Sequence, residues 1–424
     1  MRESNDPRRI EYVDGPSGLG VVRQGPPAGA RSFAATYIGP AGWAYDPKGG
    51  EGTARLAAQL VTSGAGRRGH AELARFLDRC GARLITQVDP ETIGVTVWGP
   101  ADAWEELLGV LADAILRPRY EDSDLTRVRR RLLEAQLQEL AQPASRADRE
   151  LLRAVFPANH PYRGTGMGDQ RSVSRISRDG IDRFRRGHLV GKGGILVATG
   201  APPVMAVARV ARQFFSGLPS VGPPELPSPT SRASRQREVR VALPGLSQVE
   251  IRLGGTSVSR SNPRFPEAYL ANEVLGGAIL LSRLFRRVRA RAGLAYYASS
   301  RLEAMRLGGY WVAQAGAGID RWSRAVPMLK QEVARLSTKS PSRDELRTVC
   351  ESRIGEIGIS LETTAEAHEL AVDAAYYGLP PDHWVQWPST LRALTPKEVR
   401  DAAEIAFDPA SAVTILAGPI RRPT

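Results

Sequence analysis

The predicted secondary-structure elements of this 424-residue chain occur twice, in the same order. Each half shows a strand, a helix, a strand pair, two amphipathic helices, and a closing helix and strand, as judged from apolar periodicity. They lie at 32–39, 52–63, 82–99, 103–115, 122–142 and 176–200 in the first half, and at 248–255, 265–275, 295–316, 320–336, 342–359 and 394–418 in the second. Strands beside amphipathic helices are typical of a sheet covered by helices. The sequence therefore predicts an α+β fold with two homologous domains, each a mostly antiparallel sheet covered by helices.

A segment rich in Pro, Ser and Gly, at 216–238, separates the two halves. It has almost no apolar periodicity, which is typical of a solvated linker. The chain is also too long for one compact core. We therefore predict an N-terminal domain at 1–215, a linker at 216–238 and a C-terminal domain at 239–424.

The net charge of +13 comes mostly from arginines scattered along the chain. Aromatic residues make up 6% of the sequence and are not interleaved with a basic stripe, so we predict no nucleic-acid interface. No apolar run reaches the roughly 18 residues that a membrane span requires. The segment 1–9 is polar and lacks the apolar region of a secretory signal. These features favour a cytoplasmic location, or a periplasmic or secreted one if a signal was removed.

Three stretches carry a resemblance to a known family. Residues 49–84 contain G-T-A before an apolar helix, 160–168 read HPYRGTGMG, and 272–300 read NEVLGGAILLSRLFRRVRARAGLAYYASS. Over about 21–419 the chain resembles the pitrilysin/insulinase-type zinc metallopeptidases, in the two-domain group that includes the mitochondrial processing peptidase. The resemblance implies repeated α+β units and two chains that close like a clamshell, of which this chain forms one half.

An active member of that family carries H-x-x-E-H after G-T-A, with two zinc-binding histidines and a glutamate that activates water. Here Arg55 stands at the first histidine position, Ala58 at the glutamate and Gln59 at the second histidine. A further glutamate ligand on a later helix is replaced by Gln136 or its neighbour Ala135. The resemblance therefore implies that this chain binds no catalytic zinc and no other cofactor, and that the zinc belongs to a partner subunit.

A substitute metal site is not predicted either. The histidines are isolated in the sequence, and no pair has the spacing of metal ligands: they are His70, His160, His188, His368 and His383. An arginine at a ligand position also adds a fixed positive charge that repels a divalent cation.

The family resemblance assigns substrate contact to an arginine and a tyrosine seven residues apart. Arg289 and Tyr296 fit this spacing, and Gly293 between them could supply the turn. The arginine can donate to substrate carbonyls, and the tyrosine hydroxyl can donate to a developing oxyanion. Arg291 and Tyr297 are adjacent alternatives for the same roles.

These features predict the non-catalytic, substrate-binding subunit of a heterodimeric zinc endopeptidase, which supplies an Arg/Tyr pair to a homologous, zinc-bearing partner. The substrate would be an extended peptide, and the basic charge favours an acidic one. One alternative is a structural scaffold subunit without a proteolytic role, and another is a stand-alone peptide-binding protein. The pair Arg289 and Tyr296 separates these hypotheses, because a scaffold does not need it.

Overall fold

The computed structural model describes Asp6, residues 8–226 and residues 237–420. Residues 227–236 of the predicted linker lie outside the described residues. So do residues 1–5 and 7 of the N-terminal segment 1–9. From 216 to 226 the chain forms no helix or strand, although Leu218 is buried in a core cluster.

The described strands form two sheets. The first contains β1 (Ile10–Asp14), β2 (Gly20–Gln24), β3 (Ser32–Gly39), β4 (Arg83–Val88), β5 (Ile93–Pro100) and β6 (Ile195–Thr199), and the second β7 (Glu238–Ala242), β8 (Gln248–Ser257), β9 (Ala295–Met305), β10 (Gly308–Gly318) and β11 (Val413–Gly418). The first sheet has the order β1-β2-β6-β3-β5-β4, and the second the order β7-β11-β8-β10-β9. The predicted α+β class with mostly antiparallel sheets is confirmed.

The two sheets repeat one topology. Each has a single parallel pair among its described strands, β2 with β6 and β7 with β11, and the other pairs are antiparallel. Without β1, the first sheet matches the second strand by strand in order and direction. In this comparison β4 and β9 are equivalent edge strands. The duplication seen in the sequence is thus a duplication of sheet topology.

Helices cover both sheets. They are α1 (Thr53–Val61), α2 (His70–Arg79), α3 (Trp104–Leu116), α4 (Asp122–Ala141), α5 (Pro143–Val155), α6 (Gln170–Arg175), α7 (Arg178–His188), α8 (Val204–Phe215), α9 (Phe265–Asn272), α10 (Trp322–Thr338), α11 (Arg343–Ser360), α12 (Thr364–Tyr376), α13 (His383–Ala393) and α14 (Pro396–Ala406). Two π-helical segments, Glu273–Gly277 and Phe285–Arg291, follow α9. None of the described helices has the length and apolar character needed to cross a membrane.

The compact units are discontinuous in the sequence. The first comprises the chain up to Leu137, then Thr165 to the linker, and Gly358–Gln386; the second comprises Gln138–Gly164, the linker to Ile357, and the chain from Trp387 onward. The predicted boundaries, 1–215 and 239–424, follow the duplication along the sequence. The compact units differ from these halves because each contains a helix from the other half.

Helix α5 belongs to the unit of the second sheet, where it packs on β8 and β11. Its buried residues Ala147 and Leu151 join a core cluster with Ile415. The Asp148 carboxylate accepts a hydrogen bond from Arg252 Nε at 2.7 Å. Apolar burial and this ion pair together account for the position of α5.

Helix α12 belongs to the unit of the first sheet, where it packs on β6, β3 and β2. Its His368 is fully buried, with Nε2 2.7 Å from Thr36 Oγ1 and Nδ1 2.9 Å from Thr199 Oγ1. Burial lowers the pKa of His368 to about 3, so the imidazole is neutral. The histidine therefore joins α12 to β3 and β6 through two hydrogen bonds.

Candidate functional site

The first zinc-ligand position lies near the start of α1, which a half-buried aspartate caps. Asp46 accepts hydrogen bonds from the backbone N–H of Gly52 at 2.7 Å and of Ala54 at 2.8 Å. Gly52, the N-cap residue, has φ 104, a left-handed conformation that favours glycine. Burial raises the pKa of Asp46 to about 7, although the two hydrogen bonds act in the opposite direction. This cap was missed in the sequence, where an aspartate upstream of a helix start is its only signal.

Arg55 holds a loop in place of a metal. Its guanidinium donates to the Thr165 carbonyl from Nη2 at 2.8 Å and from Nε at 3.2 Å. It also lies over the Trp43 ring, 5.1 Å from the ring centroid. Ala58, at the position of the general base, is buried and presents only a methyl group. Arg55 and Ala58, at two of the three motif positions, therefore can act neither as a metal ligand nor as a general base.

The other two ligand positions carry amides. Gln59 is half-buried on α1, while Gln136 on α4 is buried and donates its amide N–H to the Gly168 carbonyl. Arg55 and Gln136 thus both bind carbonyls of the loop from Thr165 to Gly168. Guanidinium and amide N–H groups are donors and cannot coordinate zinc.

The residues of this site do not fit a zinc ion. In the described part of the chain, no group of three or more His, Cys, Asp or Glu side chains converges in an arrangement that could hold a metal. Acidic residues do lie nearby: burial raises the pKa of Asp89, an effect that the charge of Arg55 opposes. At the position where the family motif has its first zinc-binding histidine, this chain has the fixed positive charge of Arg55, which repels a divalent cation.

Arg289 lies in the second unit, on the π-helical segment Phe285–Arg291, with an exposed side chain. Its guanidinium stacks over the Phe285 ring, 5.1 Å from the centroid. Gly293 has φ 62 and forms the turn between this segment and β9, where the sequence predicted a turn. Arg289 and Tyr296 thus lie on consecutive elements joined by that turn.

Tyr296 is 62% exposed at the start of the edge strand β9. The register of β9 with β10 passes from Tyr297 opposite Gly316 to Ala295 opposite Ala317, so Tyr296 is the extra residue of a β-bulge. Because of the bulge, the side chain of Tyr296 is exposed, whereas the hydroxyl of the adjacent Tyr297 binds Glu250 and Arg252.

Tyr297 belongs to a buried polar network. Its hydroxyl donates to Glu250 and accepts from Arg252 Nη1 at 3.2 Å, while Arg252 also pairs with Asp148. Burial raises the pKa of Tyr297 to about 12, and Arg252 counteracts part of this effect. Arg291, the other adjacent alternative, lines a cavity beside α10. The structure thus distinguishes the four candidates by their surroundings, a distinction that the sequence spacing could not make.

Comparisons with known proteins identify the family. The family model described as "Insulinase (Peptidase family M16)" matches residues 21–167, and that described as "Peptidase M16 inactive domain" matches residues 175–352. The "Non-peptidase homolog YmxG" of Helicobacter pylori is 20% identical over 352 residues, which are 82% of this chain and 80% of that protein.

Two solved structures share the fold over almost their whole length. The peptidase M16 inactive domain from Pseudomonas fluorescens has a TM-score of 0.90 at 18% identity and covers 98% of this chain and 99% of its own. A protease from Helicobacter pylori has a TM-score of 0.86 at 15% identity, with 97% and 99% covered. Since both halves match models of one family and the zinc-ligand positions are filled by other residues, the chain belongs to the insulinase (M16) peptidase family as a non-catalytic member.

Proposed function

We propose that this chain is the substrate-binding subunit of a heterodimeric zinc endopeptidase whose other subunit, a homologue with H-x-x-E-H, carries the zinc. The observation that carries the proposal is the contrast between the two sites. Arg55 and Gln136 bind a loop where ligands would be needed, whereas Arg289 and Tyr296 present exposed donors. A chain that lacks the zinc ligands and the general base, but keeps the hydrogen-bond donors Arg289 and Tyr296, would complement a subunit that carries the zinc.

The chemistry assigned to the pair follows from its donors. Arg289 can donate up to five N–H groups and binds backbone carbonyls of an extended peptide. The Tyr296 hydroxyl stabilises the oxyanion that forms as water attacks the scissile carbonyl.

The edge strand β9 is suited to the same peptide. Among the described strands it pairs with β10 only, so a peptide added as a strand would pair with the backbone groups that β10 does not use. The net charge of +13 favours an acidic peptide.

The test is reconstitution with a zinc-bearing homologue. We expect the isolated chain to carry far less than one zinc per chain and to show no peptidase activity sensitive to a chelator. Cleavage of an extended, fluorogenic acidic peptide should appear when the two subunits are mixed and should co-elute with a 1:1 complex. A zinc-bearing subunit that is fully active alone would contradict the proposal and favour the scaffold role.

A further inference from the structure

A cavity of about 280 Å³ in the second unit is lined mainly by basic side chains. The basic residues come from the π-helical segment Phe285–Arg291, from a position two residues before it, from α10 and from the residue after α10. They are Arg283, Arg286, Arg287, Arg291, Arg335 and Lys339. Like charges destabilise one another unless a counter-charge lies between them. The grouping therefore needs an explanation in terms of the carboxylates that share the cavity.

Two carboxylates supply only part of that counter-charge. Glu345 accepts from Arg283 Nε at 3.0 Å and Nη2 at 2.9 Å, and from Arg286 Nη2 at 2.9 Å. Burial alone would raise the pKa of Glu345, but its hydrogen bonds to Arg283 hold the pKa below the usual value, so this carboxylate is charged. The second carboxylate, Glu332, is 1% exposed and pairs with Arg287 Nη1 at 2.7 Å. Six cations against two carboxylates leave an excess of four positive charges.

Arg291 and Lys339 carry the clearest part of this excess. Both are exposed, and neither forms an ion pair with any residue that the structure describes. Ser342, at the start of α11, adds a hydroxyl: its Oγ accepts from Glu345 N at 3.1 Å, which leaves the hydroxyl hydrogen available to a ligand. Free cations and a free donor thus face one small space.

We propose that this cavity binds a phosphate group, as a phosphomonoester or diphosphate, of a small ligand or of a lipid headgroup. Guanidinium forks match the oxygens of phosphate in bidentate geometry. A single peptide carboxylate would offset only one of the four excess charges, whereas a diphosphate carries several charges within the available volume. The site does not depend on the presence of a zinc-bearing partner, so it is independent of the function proposed above.

The experiment is isothermal titration calorimetry of the whole chain with pyrophosphate and with inorganic phosphate, at near-physiological ionic strength. We expect saturable 1:1 binding, tighter for pyrophosphate. The double variant Arg291→Gln/Lys339→Gln should bind roughly tenfold more weakly for each cation removed. Because neither residue is in an ion pair, the variant should unfold at the wild-type temperature.

The matched control is Arg324→Gln/Lys330→Gln, which removes the same charge from exposed positions of α10 that do not line the cavity. Wild-type affinity in this control supports the site; equal weakening in both double variants, or no saturable binding to the wild type, overturns it. Flotation with phosphatidylcholine vesicles that contain phosphatidylinositol bisphosphate separates the two phosphate sources, since only a headgroup site gives vesicle binding that pyrophosphate displaces. Displacement of pyrophosphate by polyglutamate at equal charge concentration would assign the cavity to acidic peptides and overturn the phosphate class.

Discussion

Arg55 shows why one reversion would not return this chain to a zinc enzyme. Its guanidinium binds the Thr165 carbonyl and packs over Trp43, so a histidine there would lose both contacts. The base position would still hold the methyl group of Ala58, and the downstream position would still hold Gln136, whose amide binds Gly168. The loss of the metal site is thus distributed over residues that now stabilise the fold around α1.

Tyr296→Phe tests the proposed oxyanion contact in the heterodimer. The substitution removes one hydroxyl from a side chain that is 62% exposed, so folding should be unaffected. Loss of one donor to an oxyanion typically lowers turnover by ~10²–10³. We therefore expect kcat to fall by about that factor in steady-state kinetics, with little change in KM.

The adjacent Tyr297→Phe is the matched control. Its hydroxyl lies in the buried network with Glu250 and Arg252, so the same chemical change should act on stability. We expect it to lower the free energy of unfolding by about 1–3 kcal/mol and to leave kcat unchanged. A loss of turnover in Tyr297→Phe alone would move the oxyanion role to Tyr297.

Arg289→Ala tests the peptide-backbone contact. If the guanidinium holds substrate carbonyls in the ground state and the transition state alike, KM should rise roughly tenfold or more while kcat is kept. The control is Arg291→Ala, two residues away, whose side chain lines the basic cavity beside α10. This variant should leave KM for the peptide unchanged. An unaltered KM in Arg289→Ala would remove this residue from the substrate site.

The sequence could place this pair only to within a residue or two. Spacing identifies Arg289 and Tyr296, but Arg291 and Tyr297 satisfy the same residue types. The bulge in β9, which gives Tyr296 its exposed position, depends on the register with β10 and has no local signature. The role of Thr165 was also beyond prediction, because its contact with Arg55 joins segments 110 residues apart in the sequence.

At the level of elements, apolar periodicity located most of the predicted strands and helices to within a few residues. It did not predict where α5 and α12 pack. An apolar stripe shows that a helix is buried against something, but it does not identify the sheet that it covers. For these two helices the choice is made by specific partners: Asp148 with Arg252, and His368 with Thr36.

The packing of α12 gives the protein a pH dependence. The pKa of His368 is lowered by burial from 6.5 to about 3, so between these values the unfolded chain binds a proton that the native state does not. This contribution to stability is complete above pH 6.5 and decreases as pH falls, by about 1.4 kcal/mol per pH unit. We expect this slope to be absent in His368→Gln, measured by urea unfolding from pH 7.5 to 5.

The comparison with the variant is essential because Asp46 acts in the opposite sense. Its pKa is raised from 3.8 to about 7, so the native carboxyl holds a proton that the unfolded one releases, and stability rises as pH falls through that range. The two effects can cancel in the wild-type curve. The difference between wild type and His368→Gln isolates the histidine, and a difference independent of pH would mean that His368 is not buried as described.

For the molecule as a whole, the exchange of α5 and α12 makes each half of the sequence incomplete. The first half contains the first sheet but not α12, and the second contains the second sheet but not α5. A half expressed alone would expose the sheet surface that the missing helix covers. It would also expose the apolar face of its own helix that normally packs on the sheet of the other half. Sequence duplication would suggest two autonomous domains, whereas the packing argues for one cooperative folding event.

Expression of 1–226 and 237–424 as separate chains tests this argument. Burial of one Leu or Val side chain contributes about 1.5–3 kcal/mol, and α5 alone buries Leu151 and Val155. Since a domain is stable by only about 5–15 kcal/mol in total, loss of one such helix removes a large share of its stability. We expect each fragment alone to aggregate or to unfold without cooperativity in urea, and the co-expressed fragments to purify together and unfold in one transition. Fragments that are each monomeric, with their own sharp unfolding transitions, would show instead that α5 and α12 contribute little and that the two halves fold independently.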